Sequence, residues 1–120
     1  MLVSGPAWIP PVDLYETNTE FVMEVSLGGI APEEVHVEVE GRRVRIWGER
    51  LGGSGEGVRC YHAMEIERGT FDRTIDLTMP VDARTAKATF RDGLLELHIT
   101  KLEGGGFHGC FSADSMEGLE

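Results

Sequence analysis

Residues 86–99, AKATFRDGLLELHI, decide the fold of this chain. Ala86, Ala88 and Phe90 share one parity, and Lys87, Thr89 and Arg91 hold the other. Leu95, Leu97 and Ile99 then alternate with Glu96 and His98. A strand sends successive side chains to opposite faces, so each run reads as a strand with one buried face and one wet face. Asp92-Gly93 lies between them, and both residues tolerate the positive φ that a two-residue hairpin demands.

The same period recurs outward from this hairpin. Val12 and Leu14 alternate with Asp13 and Tyr15. Phe21, Met23, Val25 and Leu27 share a parity, as do Val35, Val37 and Val39. Val44 and Ile46 alternate with Arg45, and Phe71, Ile75 and Leu77 oppose Asp72, Thr74 and Asp76. Gly28-Gly29, Pro32, Gly41-Arg42 and Pro80 punctuate these runs, and Asp82 is placed to cap one helical turn. No long stretch carries a 3.6-residue period. About seven short strands separated by turns predict an all-β, immunoglobulin-like β-sandwich.

With 120 residues the chain is sized for one domain. Three segments fall outside the strand pattern. Residues 1–10 read as a short apolar N-terminal arm, 11–101 as the domain, and 102–120 as a flexible, acidic, Gly-rich tail. Residues 51–59, LGGSGEGVR, read as a long mobile loop. The formal net charge of −10 argues against binding to nucleic acid or an anionic membrane, which repel it. Two cysteines, Cys60 and Cys110, make no disulfide framework and fit a reducing compartment. Met1–Val12 has no Lys or Arg and lacks the plan of a signal peptide, so a cytoplasmic protein is expected.

The chain holds no G-x-S-x-G elbow, no phosphate loop ending in Lys-Ser/Thr and no H-E-x-x-H, so no enzyme and no cofactor are expected. Cys60-x-His62 and His108-x-Cys110 would together make a Cys2His2 set, but structural zinc sites use longer spacings. Free thiols are the default reading there, and no metal is expected. Arg73 shares the inward parity of Phe71 and Ile75, so its guanidinium needs a carboxylate or carbonyl partner, or must reach water along its stem. Trp47 falls on the outward parity; it marks an interface or lies under a neighbouring segment.

The run PPVDLYETNTEFVMEVSLGGIAPEEVHVEVEGRRVRIWGER (10–50) resembles the first half of an alpha-crystallin domain. YHAMEIERGTFDRTIDLTMPVDARTAKATFRDGLLELHITK (61–101) resembles the second half, with the A-x-x-x-n-G-x-L signature at Ala88, Asp92, Gly93 and Leu95. The chain thus looks like a bacterial-type small heat shock protein, and the resemblance implies an ATP-independent holdase that binds unfolding client proteins under stress. It also implies a homodimer made by swapping a strand on the long loop, here near Cys60–Met64. Val12, Asp13, Leu14, Tyr15, Tyr61, His62 and Arg73 would then line the dimer interface, Arg73 matching the family's signature arginine.

In such a family member, Val35, Val37 and Val39 with Ala88 and Phe90 form an edge groove for a tail or a client. The bland reading of the same residues is core packing. Trp8 and Ile9 are the candidate client contacts, and either they or Phe107 and Phe111 could fill the groove. The family's I-x-I tail motif does not occur after Lys101. With so short an arm, a dimer or small oligomer is expected. Two alternatives stand beside the holdase: an adaptor with the related sandwich of CS-domain co-chaperones, and a structural subunit that co-assembles with a longer small heat shock protein.

Overall fold

A computed structural model describes residues 6–52 and 56–102. The tail beyond 102, with Phe107, His108, Cys110 and Phe111, and residues 53–55 of the glycine-rich loop lie outside it. Seven strands follow in order: β1 Val12–Glu16, β2 Glu20–Ser26, β3 Val35–Glu40, β4 Arg43–Arg50, β5 Gly69–Asp76, β6 Lys87–Arg91 and β7 Leu94–Thr100. They form two antiparallel sheets, β1-β2-β7-β6 and β3-β4-β5. Single 3-10 turns, Pro32–Glu34 and Ala83–Thr85, mark two crossings between the sheets.

Turn chemistry sets the registers. Asp92 at φ 54° and Gly93 at φ 80° make the β6–β7 hairpin, and Asp92 is the one non-glycine at positive φ among the described residues. Gly41 at φ 63° opens the two-residue turn between β3 and β4. Asp82 caps its turn by accepting from the Arg84 N–H at 3.1 Å, so the helical turn expected there forms as 3-10.

The inward parity builds the core. Phe21, Met23, Val25, Leu95, Leu97 and Ile99 from one sheet meet Val44, Ile46 and Phe71 from the other, all buried. Gly48 stands opposite Phe71 across β4 and β5. A Cβ on Gly48 would come within 2.9 Å of the Phe71 ring and run into the Glu34 carbonyl. The first 3-10 turn therefore sits directly on β4.

Trp8 corrects the sequence reading. It is no exposed client contact: only 6% of it is accessible, while Ile9 stays 63% exposed. The chain crosses here from β5 to the other sheet. Ala7 N–H donates to Thr70 O at 2.9 Å, the Trp8 indole N–H donates to Gly69 O at 2.9 Å, and Ser26 N–H donates to Pro11 O at 3.0 Å. The indole tilts against Phe71 at 5.2 Å between ring centres, and Arg50 lies 4.1 Å over its outer face. Burying so large an aromatic with its N–H satisfied is worth more than leaving it free. A three-residue apolar run carries no period by which the sequence could announce this.

One buried polar contact also goes beyond the sequence reading. Lys101 and Glu16 form an ion pair at 2.7 Å, their side chains 1% and 4% exposed. Lys101 Nζ also donates to Thr17 O at 2.8 Å and lies over the Phe21 ring. The pair ties the first residue after β7 to the end of β1. Replacing Lys101 by Met removes the cation of this buried ion pair, and the expected loss is about 3–5 kcal/mol by urea unfolding. The double variant Glu16→Leu/Lys101→Met should recover most of that loss. A single variant as stable as the parent would show that the pair contributes nothing.

Candidate functional site

β3 and β6 are the outer strands of their sheets on one side of the sandwich, each paired to a single neighbour. Between them runs a groove of about 290 Å³, lined by Val37, Val39, Ala83, Ala86, Ala88 and Leu97. The structure thus brings Val37, Val39 and Ala88 together. Val35 and Phe90 do not line it; they are half-buried and pack on the core instead. Ala83, Ala86 and Leu97 were missed. Ala83 comes from the 3-10 turn, where strand alternation gives no signal, and Ala86 directly follows that turn, on the parity of Ala88. Ala88 lies on the inward parity, paired with buried Leu97, yet remains exposed. The signature positions divide the work: Asp92 and Gly93 turn the chain, and Leu95 is core.

The opposite side is bounded by β1 and β5. β1 pairs with β2 alone, so Val12–Glu16 presents a free edge. Leu14 and Tyr15 on it are 41% and 47% exposed, Asp13 is exposed, and Val12 packs on the core. Tyr61 and His62 lie exposed in the long loop, beside exposed Met64 and Ile66. Cys60–Met64 takes no strand conformation within the single chain. Cys60 Sγ is 3.5 Å from the His62 ring. Arg73 does face inward, half-buried, in the row Val37–Ile46–Arg73. Its partner is a carbonyl: Nη1 donates to Pro10 O at 2.9 Å. Arg73 therefore holds the crossing segment in place.

Trp47 is covered by its own sheet. His36 stacks on it at 5.4 Å and Arg45 lies 4.3 Å over the ring. Arg45 is fixed by two hydrogen bonds to Asp72, at 3.0 and 2.7 Å, which hold that carboxyl below its usual value. Neither the long loop nor the N-terminal segment is needed to shield the indole.

The model of the Hsp20/alpha crystallin family matches residues 13–106. Small heat shock protein C2 of Rickettsia felis is 31% identical over 97 residues, covering 81% of this chain and 63% of that protein. Small heat shock protein C4 of the same organism is 30% identical over 94 residues, covering 78% of this chain and 58% of that protein. The chain thus spans less than two thirds of these relatives. Among solved structures, heat shock protein 16.0 from Schizosaccharomyces pombe superposes with a TM-score of 0.76 at 26% identity, covering 88% of this chain and 97% of that one. HspA from Xanthomonas axonopodis gives 0.73 at 32% identity, covering 82% and 98%. The sandwich is the alpha-crystallin domain fold.

The wet face of the four-stranded sheet carries an acidic cluster beside β1. Tyr15, Val22, His98 and Lys87 form one cross-strand row, and Glu24 pairs directly with Glu96 in the next. His98 Nε2 is 2.5 Å from Glu96 Oε1, and Nδ1 is 3.5 Å from Glu20 Oε1. The Glu96 hydrogen bond is the main force raising the His98 pKa above 6.5; burial opposes it and Glu20 adds to it. Partial burial, then the fields of Glu24, Glu96 and Glu20, likewise raise Tyr15 above 10.0. A raised histidine stabilises the fold fully below its unfolded value and loses that contribution as pH rises through the folded value. Unfolding free energy should therefore fall as pH is raised above 6.5, and His98→Gln should flatten that slope. Parallel pH profiles for the two proteins would remove His98 as the cause.

Proposed function

Because this chain belongs to the Hsp20/alpha crystallin family, we propose that it is an ATP-independent holdase that binds partly unfolded proteins in the cytoplasm and prevents their aggregation. The observation that carries this reading is the groove between β3 and β6. It combines an apolar floor with two free strand edges. An extended client segment can pair its main chain with either edge while alternate side chains enter the groove. This recognition needs no particular sequence, only apolar residues at period two. The site is shallow and its lining side chains are small, so single contacts are weak and many are needed. No chemical step is required, and the chain needs no cofactor for it.

The acidic surface supports the same reading. A complex that carries the chain's net charge of −10 repels its neighbours and stays dispersed. The free β1 edge and the exposed Tyr61, His62 and Met64 support a homodimer in which the loop of one copy reaches β1 of the other. Arg73 contributes indirectly, by holding Pro10 and so the entry to β1.

The test is light scattering from a heated, aggregation-prone client without ATP. Suppression at a few subunits per client is expected. No suppression by the folded chain would overturn the holdase reading, and one tight stoichiometric complex would favour an adaptor. Ala88→Glu should weaken suppression several-fold while changing stability by no more than about 0.5 kcal/mol, since Ala88 is exposed. Undiminished suppression would move the client site away from the groove. Shortening Gly52–Gly57 should convert dimers to monomers in analytical ultracentrifugation; dimers that persist would exclude the loop as the linking element.

A further inference from the structure

The long loop between β4 and β5 turns its apolar side chains to water. Every described residue from 51 to 68 is exposed, Leu51, Val58, Tyr61, Met64 and Ile66 among them. Apolar side chains gain by leaving water, so a free loop of this composition tends to settle on its own sheet. We propose that Arg50, Arg68 and Gly69 form a neck at the root of this loop, which turns it away from its own sheet and presents it to a second copy of the chain. The proposal rests on the homodimer reading and names the residues that set the dimer's affinity.

The neck begins where the ladder stops. The pairing of β4 with β5 ends at Arg50 and Gly69. Beyond that pair, the arginine of each strand reaches across to a carbonyl of the other. Arg50 Nη1 donates to Glu67 O at 2.7 Å, and Arg68 Nη1 donates to Leu51 O at 3.1 Å. The two bonds cross, so Leu51 and Glu67 are fixed on opposite sides of the opening. Arg50 Nε also donates to Gly28 O at 3.0 Å, just after β2. A planar guanidinium that donates from two nitrogens has its orientation set by both acceptors. The root of the loop is thereby tied to the other sheet as well as to its own.

Gly69 supplies the direction. Its φ of 101° suits glycine and strains any L side chain, and a Cβ there would also lie 3.1 Å from the Ala7 Cβ. The chain entering β5 turns at this residue in place of running straight alongside β4. A straight approach would extend the ladder into the loop and satisfy its main-chain groups at home. The turn leaves those groups for a partner's strand edge, and β1 offers one.

Both crossing bonds are exposed, so they add little to the folding of one copy. Their effect falls on association. A loop that joins another chain gives up freedom, and a loop whose root is already fixed gives up less. A dimer in which each copy lends its loop uses two necks, so a loss at the neck counts twice.

Arg68→Met tests this, since it keeps the apolar stem and removes the donor to Leu51 O. The dimer dissociation constant in analytical ultracentrifugation should rise about tenfold, roughly threefold for each neck. Far-UV melting, measured at a concentration where the chain is monomeric, should shift by less than about 2 °C. Arg42→Met takes the same charge from the exposed β3–β4 turn and should leave the constant within about twofold of the parent's. An unchanged constant for Arg68→Met, or an equal rise for Arg42→Met, overturns the neck and leaves the homodimer standing. A clear drop in the monomer's melting temperature makes Arg68 a fold-stabilising residue and overturns the neck too. A parent chain that stays monomeric at all concentrations overturns the homodimer itself, and the neck with it.

Discussion

A four-stranded sheet laid on a three-stranded one cannot close its own sides, and that mismatch organises this molecule. On each side a strand of one sheet faces a strand of the other across a gap, and inward side chains there lack half their neighbours. The chain resolves the two gaps in opposite ways. Next to β5 it places a tryptophan and a proline, and it ties the crossing backbone with Arg73. Next to β6 it places alanines, which leave the gap unfilled. Side-chain size at a few positions thus decides which side is core and which is groove.

Free strand edges are a hazard in any β protein, since they pair readily with other chains. Here the hazard is shaped by charge. β3 turns His36, Glu38 and Glu40 outward, β1 turns Asp13 and Tyr15 outward, and β6 turns Lys87 and Arg91 outward. Two folded copies approaching at random meet a net like charge, −10 on each. An uncharged apolar segment feels no such repulsion. The same edges therefore disfavour indiscriminate self-pairing and leave room for extended polypeptide.

Most of the sandwich was legible in the sequence because period two is a property of the backbone, and seven strands express it. Asp92-Gly93 and Asp82 were legible because each meets a local demand that few residues satisfy. What escaped depends on contacts distant in the chain. Trp8 finds its place only through Gly69 and Phe71, about sixty residues on. Lys101 could be read as buried by parity with Ile99, but a lysine's parity predicts nothing until Glu16 is found opposite it. Glu16 itself continues the inward row of Val12 and Leu14, a signal that was available in the alternation. Ala83 lines the groove from a 3-10 turn, where neither period applies. Cys60-x-His62 is the converse: a pair that spacing made interesting and that the fold leaves on an exposed loop.

Open edges and an unfilled groove forgo burial that a fully closed sandwich would gain. The remaining contacts must hold the frame rigid without them. The contacts suited to this stand away from the groove. Gly48 lets the first 3-10 turn lie directly on β4, and no larger residue fits there. Arg45 and Asp72 pair in two-point geometry on the outer face of β4 and β5. Glu16 and Lys101 close the end of the other sheet, beside the point where β7 finishes. A groove between two stiffened sheets keeps its width when empty, so a bound segment gives up less free energy to ordering the protein. Filling the groove with larger side chains would raise stability and remove an apolar surface that the two sheets leave open.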